Sequence, residues 1–239
     1  MFPWQSNTLV PGQFAAVRDT SLSKLVRDEV LDLILRGDLV PGARINEPDI
    51  AQRLGISRVP VREALRELES SGLVVARKHA GVFVRDLDAT EVGSLYALRA
   101  LIDGYVGRRA AQLDMAARTA LADSLDASIA LMQEAADALH VERYYAENLR
   151  FHWLMVEAAD NLPLAEVYRG VVQQLHLARL KNLSKDLGMQ ASIAEHREIA
   201  AAQRLGNSAR CEALLAKHVE DAHVRLADST TTGSAGAAR

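Results

Sequence analysis

The chain of 239 residues contains a single cysteine, Cys211, so no disulfide can form within it. A lone thiol inside a helical pattern reads as a small hydrophobe, and such usage fits a reducing cytoplasm. No apolar run approaches the roughly 18 residues of a membrane span, and no charged segment followed by an apolar one opens the chain as a secretory signal would. A glycine-rich phosphate loop, an HExxH run, a GxSxG elbow and internal repeats are all absent, which removes the sequence signs of several enzyme classes. Charge of one sign is lacking too: 28 Lys+Arg stand against 31 Asp+Glu, a net charge of −3. Up to Leu87 there are 12 basic and 11 acidic residues (+1), and beyond it 16 and 20 (−4). Affinity for a polyanion would therefore have to come from local placement of basic side chains, not from a basic protein as a whole.

What is present is ample material for a core, with 49% hydrophobic residues, and one stretch of unusual order, Gly55 to Gly72. Ser57 is placed to cap a helix there, and Pro60 falls in the first turn, where its missing N–H costs nothing. Val61, Ala64, Leu65 and Leu68 recur at helical spacing as a buried stripe. Arg58, Arg62 and Arg66 step by four along another face. Either these arginines reach a ligand, or they pair with Glu63, Glu67 and Glu69 on a solvated helix. Upstream, Leu22, Leu25, Val26, Val30, Leu33 and Ile34 make a helical pattern ending at Gly37, and a Pro41-Gly42 turn follows. Asn46 and Asp49 resemble a capping pair for a second helix over 47–54, which Gly55 ends. Downstream come two β-like runs, 73–76 and 82–84, joined by a tight basic turn of Arg77, Lys78, His79, Ala80 and Gly81. Helix, helix-turn-helix and hairpin make a winged helix-turn-helix, whose second paired helix enters the major groove.

The run from Ser21 to Arg85 resembles the DNA-binding domain of the GntR family of bacterial repressors. The residues that carry the likeness are Pro41-Gly42, Leu54 to Arg58, Pro60 to Leu65, Gly72-Leu73-Val74 and Gly81. The resemblance implies operator contacts from Ser57, Arg58, Pro60 and Arg62, with Arg44, Lys78, His79 and Gly81 at the wing. Pro48 stands where many relatives carry a basic residue, so that contact is absent or made differently.

Residues 1–20 read as a loose arm and 88–92 as a linker, with Thr90 as a cap. Six helical segments follow, at about 90–112, 114–138, 141–160, 162–184, 188–205 and 207–227. Ser208 is placed to cap the last. The polar tail from 229 reads as disordered. The expected fold is mainly α: a winged helix-turn-helix over 21–87, then an antiparallel helical bundle over 88–228.

That second part resembles the effector domain of the FadR branch, in its shorter six-helix variant named after vanillate repressors. Leu98-Arg99, Asp103, Arg109-Ala110-Ala111, Asn148, Phe151-His152, His196 and His218 carry the likeness. It implies a divalent metal held by Asn148, His152, His196 and His218, and it places Arg99 near an effector pocket. Asn148 and His152, four apart, share a helix face, and three imidazoles with an oxygen suit zinc, nickel or another borderline cation. Most metal-binding relatives have Asp where Asn148 stands, so the cation and its ligands would keep a net charge of +2 and favour an anion. On residue types alone these histidines read as core or surface groups. Arg99 could instead pair with Asp103. His140 falls in a loop, and His176 and His223 read as ordinary helix residues. A hydrolytic metal with Glu147 or Glu195 as base is the enzymatic alternative.

The reading that results is a ligand-responsive transcription factor, a repressor and not an enzyme. It acts as a homodimer on double-stranded operator DNA and binds zinc, or nickel, and a small carboxylate effector, with no membrane partner. The alternative is a regulator for which the cation itself is the signal.

Overall fold

The computed structural model describes residues 2–3, 21–180 and 188–235. Among these, one compact unit holds residues 21–88 and 173–180, and a second holds 89–172 and 188–235.

The first unit opens with α1 (Leu22–Leu35), capped by Ser21, whose Oγ accepts from the Lys24 N–H. Its buried face is Leu25, Val26, Val30, Ile34 and Leu35, while Leu22 is exposed and Leu33 half-buried. A two-residue strand β1 (Arg44–Ile45) precedes α2 (Glu47–Leu54) and α3 (Arg58–Ser70), and β2 (Val74–Arg77) and β3 (Gly81–Val84) complete the unit. The strands form an antiparallel sheet in the order β1-β3-β2, with Arg44 opposite Phe83 and Val75 opposite Phe83 on the other side. Gly55 ends α2 in the left-handed conformation, the φ of +67° that favours glycine. Val61, Ala64, Leu65 and Leu68 of α3 are buried as their spacing requires, against Val26, Val30 and Ile34 of α1 and Leu73 of the hairpin.

Local hydrogen bonding departs from expectation in several places. Ser57 and Asn46 occupy N-cap positions, but neither side chain caps its helix, and the Asn46 amide instead donates to Asp49 Oδ2 at 2.7 Å. β1 was not anticipated, since two residues carry no period and only the pairing with β3 makes them a strand.

The second unit consists of α4 (Ala89–Ala111), α5 (Met115–Asp137), α6 (Val141–Ala158), most of α7 (Leu162–Leu180), α8 (Met189–Arg204) and α9 (Ser208–Ala235). Asp114 caps α5 through its Oδ1 and the Ala117 N–H. Thr90 lies inside α4 and not before it. The α9 cap is Asn207, whose Oδ1 accepts from the Arg210 N–H, so Ser208 is the first helical residue. α9 continues to Ala235, past the point where the polar tail was expected to lose structure. Extending a formed helix adds one hydrogen bond per residue fixed, and no proline interrupts 229–235. Residues 236–239, and the arm apart from Phe2 and Pro3, lie outside the described residues. Phe2 itself is buried.

α4 packs chiefly on α9, and α5 on α6 and α8. The α4–α9 approach is close because Gly107 has no side chain: a Cβ there would lie 3.0 Å from the Cys211 carbonyl oxygen and 3.2 Å from Leu215 Cδ2. Gly107→Ala should push the helices apart and cost about 1–3 kcal/mol, readable by chemical denaturation. Cys211 is buried, and burial pushes its thiol up to about 12, as befits a packing residue. No helix among the described residues is long and apolar enough to cross a membrane.

The C-terminal end of α7 belongs to the first unit. There His176, expected to be an ordinary helix residue, is buried and its Nε2–H donates to the Leu35 carbonyl at 2.9 Å, at the end of α1. Leu177 joins the same core. Burial pushes His176 down from 6.5 to about 4, only partly offset by the bond to Leu35. Between those two values the unfolded chain binds the proton and the folded one does not. The stabilising contribution is therefore complete above pH 6.5 and is lost as pH falls toward 4, by about 3 kcal/mol. Denaturation of wild type and His176→Gln across this window should show the variant's stability varying less with pH.

Candidate DNA-reading helix and histidine cluster

In the first unit, α3 turns its apolar stripe inward and leaves Arg58, Arg62 and Arg66 exposed. The arginines do not pair with the glutamates of their own helix. Glu67 accepts from Arg27 at 3.1 Å, and Glu69 Oε1 accepts from the Ala76 N–H at 2.9 Å. Arg62 donates through Nε to Glu47 Oε2 of α2 at 2.8 Å, its side chain remaining 60% exposed. Among the described residues Arg58 and Arg66 have no ion-pair partner. A helix with a dry back and free guanidinium groups in front can deliver those groups to base edges.

The hairpin supports the same face chemistry. His79 adopts a φ of +62° and Gly81 one of +103°, so the turn over Lys78, His79 and Ala80 is tight and exposed. A Cβ on Gly81 would lie 3.2 Å from Arg44 Nε, which places the Arg44 side chain across the wing glycine. Arg77 lies over the Phe83 ring at 4.5 Å. Ser57 and Pro60 sit at the N-terminal end of α3, Ser57 exposed and Pro60 half-buried.

In the second unit three imidazoles meet. His152 of α6, His196 of α8 and His218 of α9 are buried, and their candidate ligand nitrogens all lie within 4.8 Å of one another. Ring centroids are 4.3 Å apart for His196 and His218, 5.1 Å for His152 and His218, and 5.4 Å for His152 and His196. Phe151 closes one side, its centroid 4.4 Å from that of His196.

Each ring is held from behind. His152 Nδ1 bonds to Asp103 Oδ1 at 2.8 Å, and Asp103, fully buried, takes Arg99 Nε on its other oxygen at 3.2 Å. His218 Nδ1 bonds to Glu195 Oε2 at 2.6 Å, and Arg225 grips the same carboxylate with two nitrogens at 2.8 and 3.0 Å. Ser192 Oγ lies 3.5 Å from His196 Nδ1. The Nε2 atoms of His152 and His196 are buried without a hydrogen-bond partner. Burial first, then neighbouring positive charge, pushes His152 and His196 well below 6.5, and burial also lowers His218. All three rings therefore present neutral nitrogens. Burial alone would raise Glu195, but the bonds from His218 and Arg225 outweigh it and hold the carboxyl near 2. Burial lifts Asp103 to about 6 despite Arg99.

Arg99 thus forms the ion pair with Asp103 that its spacing allows, and it lies 5.9 Å from the Tyr168 ring centroid. Asn148 sits half-buried on α6 one turn before His152, on the same helix face. His140 is the exposed residue before α6, and His223 stacks on Tyr96 at 4.9 Å. Glu195, weighed above as a catalytic base, is occupied in holding His218. Asp103 shares the family likeness with the histidines, and Glu195 is a candidate base beside them, but which ring each carboxylate would hold is not legible in the sequence. The one available hint was a charged pair, Arg99 and Asp103, amid the otherwise apolar α4 residues Ala100, Ile102 and Val106.

A winged helix-turn-helix followed by a helical domain with a buried polar centre is the architecture of a DNA-binding regulator. Residues 22–84 match the bacterial regulatory proteins of the gntR family, and residues 94–221 match the FCD domain. A protein of Paenarthrobacter nicotinovorans, described as a probable D-xylose utilization operon transcriptional repressor, is 31% identical over 200 residues, 84% of this chain and 86% of that one. The HTH-type transcriptional regulator YdhC of Bacillus subtilis is 28% identical over 176 residues, 72% of this chain and 76% of its own. Among solved structures, a GntR transcriptional regulator of Rhodococcus sp. RHA1 is similar with a TM-score of 0.72 at 26% identity, over 87% of this chain and 99% of that one. The chain belongs to the GntR family and is a transcriptional regulator of the FCD type, a family of regulators and not of enzymes.

Proposed function

We propose that the protein is a ligand-responsive repressor that binds a palindromic operator as a homodimer. Arg58 and Arg62 read the major groove, and Arg44, Lys78 and His79 approach through the wing. Its helical domain holds a divalent cation on His152, His196 and His218, with Asn148 as an additional oxygen donor. The observation that carries the metal reading is the pair of buried, partnerless Nε2 atoms on His152 and His196, converging with His218. Leaving such acceptors unmade in a core is costly, and a cation satisfies them together. Three neutral imidazoles suit zinc or nickel, and when bound such an ion supplies a Lewis-acidic position for an anionic ligand.

Charge supports a carboxylate effector. Asp103 with Arg99 and Glu195 with Arg225 each sum to zero, so a cation held by neutral rings and the Asn148 amide keeps a charge of +2 that favours an anion beside it. Arg99, whose Nε is engaged by Asp103, completes recognition through its terminal nitrogens. Effector binding then shifts the population away from the arrangement that holds DNA, which requires different affinity for the two states. Asn148→Asp should tighten zinc binding and weaken the acid. Calorimetry with acetate at saturating zinc checks this, and equal acetate affinity in the two forms would count against the charge argument.

A second reading makes the cation itself the signal. A steep dependence of operator binding on zinc, with no response to a panel of organic, sugar and aromatic acids, would favour it.

A further inference from the structure

A neutral imidazole carries its proton on either nitrogen, so a cation needs each ring fixed in the tautomer that leaves the facing nitrogen as an acceptor. Two full carboxylates stand behind two of these rings, each on a different helix from the histidine it touches. Asp103 of α4 meets His152 of α6, and Glu195 of α8 meets His218 of α9. Both contacts are made at Nδ1, and both carboxylates are themselves locked, Asp103 by Arg99 at 3.2 Å and Glu195 by Arg225 at 2.8 and 3.0 Å. A carboxylate can only accept, so the ring must donate from Nδ1 and keep its lone pair on Nε2. That lone pair is what His152 leaves buried and unmatched.

We infer that Asp103 and Glu195 are positioning residues of the histidine cluster: Nδ1–H bonds to them fix His152 and His218 in the Nε2-acceptor tautomer before any cation arrives, so the cluster is preformed. The inference rests on the metal reading above for its purpose, but the tautomers are a property of the metal-free protein. His196 has no carboxylate behind it; its ring is held instead by Ser192, through the backbone and with Oγ 3.5 Å from Nδ1. The Arg99–Asp103–His152 line also ties the proposed effector-binding guanidinium to a metal ligand through one carboxylate.

The test uses the full chain stripped of metal, as wild type, Glu195→Gln, Asp103→Asn and the control Glu198→Gln, whose side chain is exposed and meets only Arg210 at 3.7 Å. Imidazole nitrogen NMR reads the tautomers, and competition with a chromophoric chelator reads zinc affinity. Wild type should show His152 and His218 as Nδ1–H tautomers. Glu195→Gln should convert His218 alone to a mixture, Asp103→Asn should do so for His152, and each should lose zinc affinity by about 10–100-fold. Glu198→Gln should match wild type. Nε2–H tautomers at His152 and His218 in wild type would overturn the inference, as would unchanged tautomers and zinc affinity in Glu195→Gln. Should Asp103→Asn fail to fold, with Arg99 left buried beside an amide, Glu195→Gln at its more exposed site still decides. A wild type with fixed tautomers that takes up no zinc sinks the metal reading and leaves this one standing.

Discussion

His152→Ala should lose at least about 100-fold in zinc affinity, more than the loss of a carboxylate behind a ligating ring, which typically costs about 10–100-fold. The ring is fully buried, reaches the cluster from α6, and is one of three nitrogen donors from three different helices. Losing it leaves two imidazoles, with Asn148 as the remaining proposed donor. Stability should report the same event. A cation present at 100 times its dissociation constant stabilises the folded state by about 2.7 kcal/mol through mass action. For a unit of this size that corresponds to roughly 5–10 °C in melting temperature. Wild type should gain this on adding zinc and lose it on chelation, and His152→Ala should do neither. A variant that still gains the full shift would place the cation elsewhere.

Arg62→Ala should weaken operator binding at least tenfold at fixed salt. One bidentate guanidinium contact to a guanine edge is worth about 1–3 kcal/mol, and the exposed Arg62 side chain contributes nothing to the core of α3. The Glu47 bond engages Nε alone and leaves the forked terminal nitrogens for the base. Circular dichroism and melting should be close to those of wild type, which separates loss of reading from loss of fold. Electrophoretic or anisotropy titrations on operator and random DNA would show the loss concentrated on the operator. Unchanged operator affinity would remove α3 from the reader role, whatever the fold.

The parts of this molecule legible in the sequence are those set by local period. The α3 stripe of Val61, Ala64, Leu65 and Leu68 is buried as its spacing demands, and the helix ends at Gly55 and Gly206 fall where breaker residues stand. Hydrogen bonds at helix ends were less legible, because several side chains can compete for the same N–H. Asn207 caps α9 in place of Ser208, and Asn46 prefers Asp49 to its own helix. Long-range partners were hardest to see. His176 finds the Leu35 carbonyl 141 residues away, and Asp103 finds His152 at a separation of 49. No periodicity encodes such pairs. Family resemblance drew attention to His152, His196 and His218, which the structure brings together, but which carboxylate holds which ring became visible only with the helices in place.

The most direct measurement is a zinc titration of chelator-stripped full-length protein by calorimetry, beside the form in which His152, His196 and His218 are all replaced by alanine. One equivalent of zinc per chain bound by wild type, and none by the triple variant at the same concentration, is the predicted result. No heat and no stabilisation in wild type, or equal uptake by both forms, would contradict the assignment of these three histidines to a metal.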